Sequence, residues 1–208
     1  DEYAAAAFIL DYYDGHDESP LLTQTTISII HPLEKNEYIL ELNMVLESPS
    51  IPVTLHKTNF GVVAVRVCAT ISEHFGGGTL MNDLGVKSES NLFGKPSTYM
   101  DYSGPVRDTS GDTVINGLTL FDHPSNPNFP AKWHVREDGW MGPSLNRDDA
   151  IVINKGASLE LRYQVHVHAG ALDPDKAVSI HRRFKDSKSW IVKRSSMKHR
   201  EWEIQKAD

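Results

Sequence analysis

Residues Ser158–His168 alternate: Leu159, Leu161, Tyr163, Val165 and Val167 share one side, and Glu160, Arg162, Gln164, His166 and His168 the other. A period of two sends successive side chains to opposite faces of an extended chain, which predicts a half-buried β-strand with a polar outer face. Such a strand needs hydrogen-bonded neighbours and a core on one side, so this segment constrains the fold more than any other. Thr23–Ile30 and Tyr38–Leu46 alternate less cleanly, and Ile115–Phe121 and Ala150–Ile153 are shorter candidates. Phe60–Ala69 is richer in Val and Ala, which predicts a strand buried on both faces with Arg66 embedded in it.

Turn signals separate these runs: Ser48-Pro49, Gly76-Gly77-Gly78, Asn116-Gly117, Pro124 through Pro130, and Asn154-Lys155-Gly156. The last predicts a hairpin joining Ala150–Ile153 to Ser158–His168. One helix is expected, opened by Asp173-Pro174 as N-cap and first-turn proline, with Ala177, Ile180, His181 and Phe184 at helical spacing. His181 on that stripe reads as a packed core histidine, and Trp190, Ile191 and Trp202 as anchors for the charged tail. Short strands at this spacing favour an all-β sandwich or barrel, and 208 residues suit one domain over 1–208.

The charge balance, 21 basic against 28 acidic residues, argues against a nucleic-acid partner, which wants clustered Lys and Arg. The basic stretch Lys193–Arg200 runs straight into acidic residues and reads as a solvated face. The longest apolar run, Ala4–Leu10, is far shorter than the roughly 20 residues of a membrane-spanning helix. Cys68 is the only cysteine and reads as a small buried hydrophobe.

The densest unusual stretch is Asp122-His123-Pro124-Ser125-Asn126-Pro127, continuing to Pro130 and then Trp133-His134-Val135-Arg136. Proline stiffens the loop before any ligand arrives, which suits a site of fixed geometry; the alternative is a crossover whose Asp and Asn only make turn hydrogen bonds. If Trp133–Glu137 is a strand, His134 and Arg136 point together, away from Trp133 and Val135. His166 and His168 share a strand face, either as a solvent-exposed pair or as part of a metal site needing a third ligand such as His134 or His123. Arg66 must find a partner, Asp101 for instance, or bind an anion in a pocket. Asn91–Gly104, with Tyr99, Asp101 and Tyr102, reads either as a sugar-binding surface or as a glycine-flanked hairpin.

Together, Asn59-Phe60-Gly61 through Arg66-Val67, Phe93-Gly94-Lys95, Asp101-Tyr102-Ser103-Gly104, DHPSNP at 122–127, WHVR at 133–136 and His168-x-Gly170 resemble one bacterial family. This is the uncharacterised family labelled "methane oxygenase PmoA", and the resemblance runs from about Thr23 to Phe184. It implies a large antiparallel β-sandwich similar to galactose mutarotase, the company of sugar-catabolic enzymes, and an N-terminal portion with its own histidines beyond this chain. The segment Glu137–Gly142 departs from the Tyr-Gly-Leu type of continuation that the family shows. The expected function is a carbohydrate-active enzyme of epimerase, isomerase or hydrolase type. His123 and His134 would be its acid–base residues, and Arg66, Asp101, Tyr102, Asn126, Arg136 and His168 would bind the substrate. A non-catalytic carbohydrate-binding module and a metal-dependent enzyme are the other readings. No cofactor is specified.

Overall fold

The computed structural model describes residues 2–16 and 18–207. In chain order the first elements are β1 (Ala4–Tyr12), β2 (Leu22–Pro32), β3 (Tyr38–Glu47), β4 (Val53–Leu55), β5 (Val65–Arg66), α1 (Glu73–Gly76), β6 (Thr79–Asn82) and α2 (Glu89–Leu92). Then come β7 (Tyr99–Arg107), β8 (Thr113–Asp122), β9 (Lys132–Val135), β10 (Trp140–Ser144), β11 (Ile151–Ile153), β12 (Ser158–Ala169), α3 (Pro174–Asp186), β13 (Trp190–Arg194) and β14 (Trp202–Lys206). Seven strands form one antiparallel sheet in the order β1-β2-β3-β12-β8-β7-β6. Smaller sheets, β5-β10-β9 and β11-β4, supply the opposing layer, and β13 pairs with β14. No described helix is long and apolar enough to cross a membrane.

The alternation of β12 explains its central place. Leu159, Leu161, Tyr163 and Val165 enter the main core, where Met44, Leu80, Met100 and Leu120 of the large sheet meet Trp133, Val135, Met141 and Ile153 of the smaller ones. Its other face differs from the expected solvated one: Arg162, Gln164, His166 and His168 are all buried. α3 lies over that face, packing Ala177, Ile180 and Phe184 on Ile39, Tyr99 and Phe121. Asp173 opens the helix as expected, its side chain accepting bonds from Asp175 and Lys176 N–H at 3.1 Å each. Further along, Trp190 packs on Ile27 and Ile29. Ile191 and Trp202 stay exposed, so of the three expected anchors only Trp190 is buried. The basic tail pairs with its acidic neighbours, through Lys193–Glu203 and Arg194–Glu201.

Four local expectations are corrected. Phe60–Ala69 is strand only at Val65–Arg66, because the segment crosses tightly over β10: a Cβ on Gly61 would lie 1.8 Å from the Pro143 carbonyl oxygen. The Asn154–Gly156 turn forms, but it passes the chain between sheets, β11 pairing with β4 and β12 with β3 and β8. Cys68 is exposed. Asn116-Gly117 is no turn; it lies inside β8, with Gly117 opposite His168.

A Cβ on Gly117 would stand 2.7 Å from both His168 Cε1 and the Tyr102 carbonyl. Gly117→Ala should therefore destabilise the fold by about 1–3 kcal/mol, the usual cost of overpacking. Denaturant unfolding checks this, and an unchanged midpoint would contradict the packing described.

Candidate functional site

Seven of the eight residues expected to form one site fall in three places, and Tyr102 lies in the main core. The first is the Asp122–Ala131 loop, where side chains serve the backbone. Asp122 accepts bonds from Asn126 Nδ2 at 2.8 Å and Ala131 N–H at 3.0 Å. Asn126 then splices the loop onto β12, donating to the Arg162 carbonyl at 2.7 Å and accepting from Arg162 N–H at 2.8 Å. Ser125 N–H donates to His123 Nδ1 at 3.0 Å, and Nε2 lies 3.2 Å from the Phe184 carbonyl and 3.0 Å from Arg162 Nη1. Both nitrogens of His123 are thus engaged in holding loop to helix. Trp133 donates to the Ser97 carbonyl, and Tyr102 spends its hydroxyl on the Arg136 carbonyl at 2.7 Å.

Burial moves the two adjacent titrating groups in opposite directions. Desolvation raises Asp122 to about 6, against bonds from Asn126 and Ala131, and lowers His123 to about 4, helped by the Arg162 charge. The His123 contribution to stability is present above the unfolded imidazole value and is lost as pH falls towards about 4. Asp122 has the reverse sign: its contribution is full at acid pH and is lost as pH rises through about 6. His123→Gln should therefore be less stable than the wild type at pH 7, with the gap narrowing between pH 6.5 and 4. Urea midpoints across that window test it; a gap independent of pH would show that His123 is not held neutral.

The second place is the buried polar face under α3. His168 Nε2 donates to Asp101 at 2.8 Å, and Asp101 also accepts from Thr119 and Ser103 hydroxyls. His166 Nε2 donates to Glu37 at 2.8 Å, and Lys176 pairs with the same carboxylate. The rings stand 5.3 Å apart and line a cleft of about 340 Å³ with Lys35, Gly170 and Asp173. The expected exposed pair is therefore a buried one, because α3 covers it. His123 and His134 do not join it, and no group of three or more His, Cys, Asp or Glu among the described residues is placed to hold a metal.

The third place is the outer surface of the β5-β10-β9 sheet, and it gathers Arg66, His134 and Arg136. β9 puts Trp133 and Val135 into the core and His134 on the opposite side. Edge-on rings frame the imidazole: Phe60 at 4.7 Å and Phe93 at 5.4 Å, with Trp140 tilted at 6.3 Å. The partner of Arg66 is Asp138 rather than Asp101. Arg66 at 3.2 Å and Arg136 at 3.0 Å meet the same Asp138 oxygen, Oδ2, and Arg66 also lies over Trp140. Arg147 sits 4.7 Å over the Phe93 ring.

Among the described residues, three buried polar atoms here have no hydrogen-bond partner: His134 Nδ1, Asp138 Oδ1 and Arg147 Nη1. Buried polar groups are normally satisfied, which makes these three atoms exceptions. Desolvation lowers the His134 pKa, aided by the Arg136 and Arg147 charges and opposed by Glu89 and Asp138. The imidazole is therefore neutral at pH 7, with a lone pair available to take a proton. Asp138 and Trp140 lie in the stretch that departs from the expected family pattern, and no spacing rule singles out Arg147. Phe60 and Phe93 stand in the quoted motifs, where their aromatic character was the available signal.

No curated protein matches the chain significantly. Among solved structures, a polysaccharide lyase aligns at 12% identity and TM-score 0.35, over 90% of this chain and 28% of that one. The chain thus spans little more than a quarter of that structure's length. The sequence model of a family of unknown function (DUF6807) matches residues 2–182, and nothing in that match carries the methane-oxygenase label that the motifs suggested. The chain belongs to this family of unknown function, DUF6807.

Proposed function

We propose that the chain acts on a sugar or sugar derivative at the His134 surface, with His134 as the acid–base group. The observation that carries the reading is the set of three orphaned polar atoms beside three aromatic rings. Aromatic faces suit the C–H groups of a sugar ring, and the half-exposed guanidinium groups beside them suit its oxygens. Arg66 and Arg136 keep unspent N–H groups that would bind or polarise a substrate oxygen. A neutral imidazole would remove a proton from carbon, as in epimerisation or isomerisation, or activate water for hydrolysis. His123, Asn126, Asp101 and Tyr102 support the surrounding structure in this reading, their polar atoms being committed to internal bonds.

The test incubates the protein with a panel of neutral and acidic mono- and oligosaccharides and follows products by NMR. Wild-type protein should convert at least one sugar, and His134→Gln should convert it at least about a hundredfold more slowly while keeping its melting temperature. Equal conversion by the variant would sink the assignment. Binding without conversion, unchanged in the variant, would instead mark a carbohydrate-binding module.

A further inference from the structure

We infer that the sugar taken at this surface is an acidic one, its carboxylate or sulfate group received by the guanidinium groups of Arg66 and Arg136. The inference rests on the sugar-active reading above and names its substrate class. Arg66 and Arg136 converge on one oxygen of Asp138, and each remains about half exposed. A guanidinium carries five N–H donors in a planar fork that matches a carboxylate or sulfate in two parallel bonds. One shared carboxylate oxygen leaves most of those donors facing solvent. Arg147 adds a third positive charge: it makes no ion pair among the described residues, and its buried Nη1 has no acceptor.

Among the described residues, Asp138 is the one carboxylate at ion-pair distance of these guanidinium groups. Glu89 Oε2 accepts the Glu137 N–H at 2.6 Å, and the Glu137 side chain pairs with His74 at 3.1 Å. Neither glutamate is at ion-pair distance of Arg66, Arg136 or Arg147 among the described residues, so the forks of Arg66 and Arg136 are engaged by Asp138 alone. A ring carrying an anionic group therefore meets guanidinium donors and three aromatic rings within one surface. His134, 8% exposed and with Nδ1 unpaired, stands among them.

Calorimetric titration tests the inference with three probes of equal length: trigalacturonate, its carboxyl-reduced counterpart and a sulfated galactose trisaccharide. Wild-type protein should bind one of the acidic probes at least tenfold more tightly than the reduced one, with an advantage that shrinks as salt is raised. The tighter of the two identifies the anion as carboxylate or sulfate. Arg66→Gln and Arg136→Gln should each remove most of the advantage, and Arg136→Lys should restore only part, since lysine keeps the charge without the fork. Exposed ion pairs contribute little to folding, so melting temperatures should hold and serve as the control. Equal affinity for the carboxyl-reduced probe would overturn the acidic-sugar inference while leaving the sugar-active reading standing. Failure of every sugar, neutral ones included, would overturn that reading itself.

Discussion

Arg162→Ala should destabilise the protein by about 3–5 kcal/mol, enough to leave a marginal domain largely unfolded at physiological temperature. The side chain lies on the buried polar face of β12, where it joins the sheet to the segment that ends α3. Nη2 donates to Glu41 at 3.0 Å, Ser187 Oγ at 2.6 Å and the Lys188 carbonyl at 3.3 Å, and Nη1 donates to the Ser187 carbonyl at 2.8 Å. The guanidinium also covers the Phe184 ring at 5.2 Å. Truncation strands the Glu41 carboxylate, whose side chain is only 4% exposed. An uncompensated buried charge is costlier than the ion pair was worth. The double variant Arg162→Met with Glu41→Met should therefore recover part of the loss that Arg162→Met alone suffers. Urea unfolding of the two single variants and the double one measures this. A loss below about 1 kcal/mol for Arg162→Ala would show that the network is not what fastens the helix.

The second large effect is on turnover. On the sugar identified by the product screen, His134→Gln should lower kcat/KM by about 10²- to 10⁴-fold, the usual contribution of a positioned acid–base group. Its pH dependence separates this role from simple packing. Burial and the Arg136 and Arg147 charges depress the imidazole pKa, so the acid limb of the wild-type profile should lie below pH 6.5. Arg136→Gln removes a positive neighbour, which raises that pKa and moves the limb upward. Asp138→Asn removes a negative one and moves it downward. A limb that ignores both changes would show that another group carries the proton.

The strand pattern was legible because period-two alternation reports burial of one face directly. β2, β3, β8 and β12 lie where alternation places them, and the α3 start follows from Asp173-Pro174. Alternation does not say what covers a polar face. His166 and Arg162 read as solvent-facing from spacing, and α3 buries both through contacts that no local pattern encodes. The Asp122–Arg136 stretch divides in the same way. Pro, Asp and Asn serve equally well in a stiff turn or a site, and here Asp122, His123 and Asn126 secure the turn while His134 and Arg136 lie on the side away from the main core, His134 beneath its aromatic rings and Arg136 half exposed. Asp138 and Arg147 escaped because their roles depend on the crossing of three segments distant in sequence.

The location of the site is most directly tested by ¹⁵N–¹H NMR titration of the labelled protein with the tightest-binding sugar of the panel. Shifts are predicted at the Trp140 indole, in the backbone of Val135–Met141 and around Phe60, Arg66 and Phe93. Shifts confined to the cleft lined by His166, His168 and Lys176, or no shift with any sugar, would contradict the assignment of the His134 surface as the site.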